Sequence, residues 1–255
     1  LALKGAYEKK LWRGHIVRLE GADKIGPWRL AQPAGLQISS SGLSLDPLVI
    51  TGGKTESLKA TCRLSAKPLA GFVTLNWHNV NMERIGVWLN SETITGATRG
   101  AVRLDLGPQK RVTLSGKASL QGTFYFQEKP VGIREALLTL DATNRGTKAD
   151  LSVVLAEGGT LRGDFSSSAP AELALPDEGQ FNVQLQEFDP ALLGVILPKE
   201  IRMEGKIAAR ASGRLMPGLR LTMTGSASAQ QSSVRVLGQK SDISIAPRQA
   251  SINWV

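Results

Sequence analysis

The chain has 255 residues, 31 Lys+Arg against 22 Asp+Glu for a net charge of +9, 42% hydrophobic and 5% aromatic residues, one Cys and two His. That composition excludes a disulfide scaffold, a membrane-spanning helical bundle and a long disordered tail, while the length suffices to bury a sizeable apolar core in one large all-β unit or two smaller ones. The basic residues are scattered, most of them at positions that alternate with apolar neighbours, and do not interleave with aromatic residues, so nucleic acid is not expected as a partner.

The sequence opens at Leu1 inside strand-like residues with no basic-then-apolar leader, which reads as a piece of a longer protein whose anchor or export signal lies elsewhere. Gly52-Gly53-Lys54-Thr55 resembles the end of a phosphate-binding loop, but Leu48 stands where the first glycine is required and no helix follows, so a hairpin turn is expected. Cys62, between Thr61 and Arg63, reads as a small apolar residue on a strand. Asn79 to Leu89 breaks the strand rhythm and predicts a short helix with Met82, Ile85 and Trp88 on one face.

Period-two alternation then dominates. Val112, Leu114, Gly116, Ala118 and Leu120 alternate with Arg111, Thr113, Ser115, Lys117 and Ser119, and the same beat runs through Leu151, Val153 and Leu155, then Phe181, Val183 and Leu185. Turn signals separate these runs: Gly107-Pro108, Asn144-Arg145-Gly146, Glu157-Gly158-Gly159, Pro176 to Gly179 and Met216-Pro217-Gly218. The pattern is an antiparallel meander of half-buried strands. A second helical break is expected at Asp189-Pro190, where the aspartate can cap and the proline fits the first helical position.

The two breaks belong to an internal repeat. Ile85-Gly86-Val87-Trp88-Leu89 aligns with Leu193-Gly194-Val195-Ile196-Leu197, Gly96 with Gly205, Leu106 with Leu215, Pro108 with Pro217, and Arg111 to Gly116 with Arg220 to Gly225. The units run over 72–180 and 181–255, the second incomplete, after a preceding β unit at 1–71. Such an array can be extended at both ends.

Chemistry-bearing motifs are nearly absent. Neither His15 nor His78 has a second ligand at metal spacing, no serine sits in a Gly-x-Ser-x-Gly elbow, and the acidic pairs Glu20 with Asp23 and Asp177 with Glu178 flank turns. No catalytic residue, cofactor or metal is expected, and the chain is not read as an enzyme.

The opening block Leu11-Trp12-Arg13-Gly14, Gly21, Gly26-Pro27-Trp28-Arg29-Leu30, Pro33-Ala34 and Gly42-Leu43-Ser44-Leu45 resembles a recurrent block of the TamB family. These are inner-membrane-anchored subunits of the bacterial translocation and assembly module, in the AsmA-like superfamily. Thr61 to Leu64, Gly205 to Gly213, Pro217 with Leu219 to Gly225, and Asp189-Pro190 to Pro198 are similar to further family segments. The segment Phe124 to Arg134 carries nothing distinctive of the family. The resemblance implies a periplasmic protein anchored in the inner membrane. It also implies a sheet folded lengthwise into a taco-like groove, phospholipid as cargo, and an outer-membrane barrel partner met through a segment outside this chain.

Alternating strands with one apolar face can close into a dry sandwich or stay open as a groove. An extended repeat, with small residues at Gly116, Ala118, Ala209, Ala211, Gly225 and Ala227 in place of aromatics, favours the groove. The expected fold is therefore all-β: an elongated, mostly antiparallel sheet curled into an open, taco-like groove with an apolar interior and one or two short helices. Its lipid-binding residues would be Val112, Leu114, Leu138, Leu140, Leu151, Val153, Leu155, Phe181, Val183, Leu185, Leu221 and Met223. The expected function is a lipid-transfer bridge segment carrying phospholipid acyl chains. The alternatives are a scaffold that pairs its strand edge with nascent outer-membrane barrel strands, and a passive spacer.

Overall fold

A computed structural model describes residues 1–89, 94–108, 111–126, 129–172, 176–190, 201–218, 220–236, 243–245 and 249–254. The period-two alternation becomes one 18-stranded antiparallel sheet that does not close on itself, accompanied among the described residues by a single α-helix.

Strands β1 (Ala2–Glu8) and β2 (Leu11–Arg18) form a hairpin, and β2 continues the sheet onto β5 (Ala34–Ser39). Between them β3 (Glu20–Asp23) and β4 (Gly26–Leu30) make a small excursion that docks β4 on the end of β6 (Gly42–Gly52). From β5 onward each strand pairs with its successor: β7 (Glu56–Ala66), β8 (Leu69–Asn81), β9 (Ile94–Leu106), β10 (Val112–Phe126), β11 (Lys129–Thr143) and β12 (Gly146–Leu155). The meander continues through β13 (Thr160–Ser167), β14 (Gly179–Phe188), β15 (Ile201–Met216) and β16 (Arg220–Val236), which carries β17 (Ile243–Ile245) and β18 (Gln249–Trp254). The expected turns fall where Gly and Pro placed them; the Gly52-Gly53 turn joins β6 to β7, with Gly53 at φ 53.

Helix α1 (Met82–Leu89) interrupts the meander between β8 and β9. It begins three residues later than the sequence pattern predicts, because β8 stays paired through Val80 and Asn81, opposite Thr98 and Ala97, beyond a bulge at which Asn79 adopts the left-handed region (φ 53). Asn81 then caps the helix, its Oδ1 accepting from the Glu83 N–H at 2.9 Å. Of the second expected helix, Asp189 and Pro190 are described and Pro190 is fully buried; residues 191–200, and with them Leu193 to Leu197 of the repeat, lie outside the described residues, as does Leu219.

The repeat is visible in strand register. In the β9–β10 hairpin Leu104 faces Leu114 and Leu106 faces Val112; at the equivalent positions of the β15–β16 hairpin Gly213 faces Met223 and Leu215 faces Leu221. The aligned glycines Gly96 and Gly205 share a backbone conformation that side chains rarely adopt, with φ 118 and 114.

Among the described residues no second sheet packs against this one. Large apolar residues such as Leu138 and Leu151 therefore stay exposed, and the sandwich is not formed. Instead, register puts most apolar residues on one face and most polar residues on the other, with Phe72 and Leu137 among the exceptions on the polar face.

Candidate functional site: an apolar sheet face

In an antiparallel ladder directly opposed residues share a face, so rows of partners can be followed from strand to strand. One row runs Ile50, Leu58, Trp77, Gly100, Ala118, Leu138, Leu151, Gly163, Val183, Ala211, Gly225 and Trp254. At about 4.8 Å per strand this row is about 53 Å long, and every member is apolar or glycine. The next row, Leu48, Ala60, Leu75, Val102, Gly116, Leu140, Ala149, Phe165, Phe181, Gly213 and Met223, is equally free of charge.

All the groove residues expected from sequence lie on this one face. Leu138, Leu151 and Val183 are in the first row and Leu140, Phe181 and Met223 in the second. Leu114 heads a third row, with Val73 and Ala142 among its members; Val153 and Leu185 face each other across Leu161 on the other side. Leu221 sits at the end of β16 opposite Leu215.

Exposure divides the set, though not by position alone, since Leu221 at the end of β16 is 58% exposed. Leu138, Leu151 and Val183, at mid-strand, are 45%, 38% and 36% exposed, whereas Val112 and Leu155, near opposite ends of the strands, are 5% and 8% exposed. The middle of the face is open to a ligand; Val112 and Leu155 are packed. Beside Val112, the buried Ala142, Thr147 and Ser167 mark one rim, where the Ala171 N–H donates to the Thr143 carbonyl at 2.8 Å and holds the segment after β13.

The other rim is fixed by ions. Arg84 of α1 donates to Asp23 at the β3–β4 turn, to the Gly26 carbonyl at 3.1 Å and to Glu56 of β7 at 3.0 Å. The second oxygen of each carboxylate is also taken: Asp23 accepts the Ile25 and Gly26 N–H groups at 2.9 and 3.2 Å, and Glu56 accepts the Asn81 N–H at 2.8 Å. All three side chains are 13% exposed. Burial alone would lower the Arg84 pKa, but the hydrogen bonds to Glu56 and Asp23 outweigh it and hold the guanidinium above its ordinary value. Arg84 Nε is buried without a partner.

At Gly225, one of the small residues expected to leave room, and at several other glycines, an aromatic ring takes up the space instead. A Cβ at Gly100 or Gly225 would collide with Trp77 or Trp254, and one at Gly213 or Gly179 with Phe181 or Phe165; Trp12 covers Gly5 and Gly14, and Trp28 covers Gly21. The rings are laid flat on bare backbone, a stabilising device for glycine in strands. Gly163 is different: the nearest atom to its would-be Cβ is 3.8 Å away. The face is thus a low floor of flat rings with leucine side chains between them.

Sequence reasoning found the face and missed three features. The tryptophan-on-glycine pairs have a trace in Trp12-Arg13-Gly14, whose spacing puts both residues on one face. The Arg84 cluster joins residues 61 and 28 positions apart and leaves no local signal. The hollows of about 530, 390 and 270 Å³ lie between side chains of the opposite, polar face, where no site was expected. Cys62 sits on the apolar face opposite Leu45 and Val73, and burial raises its thiol pKa, as suits an inert residue. His15 and His78 are on the polar face, and no group of metal-ligating side chains occurs among the described residues.

No family model, curated protein or solved structure matches this chain. Fold and face define a class: an open, single-sheet β protein with one long uncharged face, capped at a rim by an ion-clamped helix.

Proposed function

We propose that this chain is a segment of a lipid-transfer bridge of the TamB type, carrying phospholipid acyl chains along its apolar face between the inner and outer membranes, within the periplasm. The observation that carries the reading is the uncharged row from Ile50 to Trp254 with its exposed leucines. An apolar surface of this extent is unusual on a soluble protein unless something covers it. Each methylene removed from water contributes about 0.8 kcal/mol, so an acyl chain lying across four or five strands gains on the order of 10 kcal/mol before ordering costs. Burial of this kind is non-directional and lets a chain slide without a specific site. No catalytic group is required.

Photo-crosslinking in cells tests this, with the probe at Leu138 or Met223 and, as control, at Thr139 or Thr222 on the other face. Phospholipid adducts at the first pair alone are the expected result. Equal silence at both pairs would overturn the reading for this segment. A second reading, a scaffold that pairs with nascent outer-membrane barrel strands, draws on the edge strands: β1 pairs with β2 and β18 with β16, leaving an outer edge on each. Protection of β1 or β18 amides by an added barrel-strand peptide, without lipid adducts, would favour it.

A further inference from the structure

We propose that the polar face of β13 to β16 binds an acidic polysaccharide. Gln180, Asn182 and Gln184 of β14 stand directly opposite Arg214, Ser212 and Arg210 of β15, and Arg162 of β13 stands opposite Gln184 on its other side. Two adjoining hollows, about 530 and 390 Å³, run along this comb and share Asn182, Ser212 and Thr224.

Charge identifies the ligand. Arg103, on the same face, is neutralised by two hydrogen bonds to Asp105 at 2.7 and 2.6 Å. Arg162, Arg210 and Arg214 form no ion pair among the described residues. Asp164, which lines the larger hollow, accepts from the Asn182 amide at 2.8 Å, which leaves that amide's oxygen free; Asp150 stands opposite Asp164 and lines a third hollow with Arg162. Three unpaired guanidinium forks around a row of amides suit carboxylates held bidentately with hydroxyls between them. By strand geometry Arg162 and Arg210 are about 10 Å apart and Arg210 and Arg214 about 13 Å apart, so one extended polymer can reach several of them.

The backbone decides against a peptide added as a strand. β14 and β15 are interior strands whose N–H and C=O groups are committed to ladders on both sides, so a peptide cannot add to them as a strand and side chains alone face the ligand. This inference does not depend on the lipid reading, which concerns the other face.

The test is calorimetric titration of the purified chain at low salt with an oligogalacturonate, a neutral maltooligosaccharide and an oligoglutamate. Binding is expected for the oligogalacturonate only. The double variant Arg210→Gln/Arg214→Gln should weaken it at least tenfold. Lys59→Gln/Lys117→Gln removes the same charge elsewhere on that face and should change it less than twofold. All four side chains are exposed, so circular dichroism should stay unchanged. No binding of the oligogalacturonate, equal binding of the oligoglutamate, or equal loss in both double variants would overturn the proposal.

Discussion

Replacing Arg84 with methionine should cost about 3 kcal/mol of stability, most of it electrostatic. The substitution keeps the aliphatic bulk but strands Asp23 and Glu56, each 13% exposed, with no counter-ion. Breaking a buried pair by removing one partner typically costs about 3–5 kcal/mol, and the residual exposure argues for the lower end. Like-charge repulsion between the two carboxylates that Arg84 bridged points the same way. Urea unfolding followed by circular dichroism gives the number, as a shift in the midpoint of the transition in which the strands fastened by Arg84 open, at constant slope for that transition. The decisive companion is the triple variant Asp23→Asn/Glu56→Gln/Arg84→Met, which removes every charge while keeping shape. It should recover more than half of the loss. If the triple variant is as unstable as the single one, the cluster acts through packing and the electrostatic account is wrong.

Aspartate at Leu151, which is 38% exposed, should cost only about 1–2 kcal/mol, while aspartate at Val112, 5% exposed, should cost about 3 kcal/mol or more; paired urea titrations read the contrast. Gly163→Ala should be neutral or stabilising by up to about 1 kcal/mol, because its nearest neighbour is 3.8 Å away, whereas Gly213→Ala should destabilise by about 2–3 kcal/mol as the new Cβ meets the Thr222 carbonyl oxygen, and Phe181 Cζ at 2.6 Å. Thermal melts separate the two glycines. Alkylation of Cys62 by iodoacetamide at neutral pH should be slow in the native protein and accelerate as pH rises toward its raised pKa, or on addition of urea. Fast native labelling at neutral pH would contradict the half-buried placement.

Alternation made most of the fold legible. The run Val112 to Leu120 against Arg111 to Ser119 announced a two-faced strand, and once Gly and Pro placed the turns, antiparallel pairing brought Leu114, Leu138, Leu151 and Val183 onto a common surface without further information. Whether that surface would be covered was not legible, because a sandwich and an open sheet share the same period. Depth along the strand was also hidden: Val112 and Leu138 look alike in sequence, but only the first lies where the chain folds over a rim. The flat aromatic rings escaped notice because a glycine's partner is set by register across strands, as with Phe181 and Gly213, and not by neighbours in the chain.

The meander has a consequence for how the molecule comes apart. From β5 to β16 each strand touches its predecessor and successor and little else, so stability accumulates neighbour by neighbour along a quasi-one-dimensional lattice. Such a lattice frays from its outer strands inward, and amide exchange should show protection rising from β1 and β18 toward the middle. Arg84 is an exception to that locality: by fastening α1 to β3 and β7 it ties distant rungs together. Strands β3 to β9 should therefore open as one cooperative block, while β12 to β16, among whose described residues no such ion-pair fastening occurs, unzip a strand at a time.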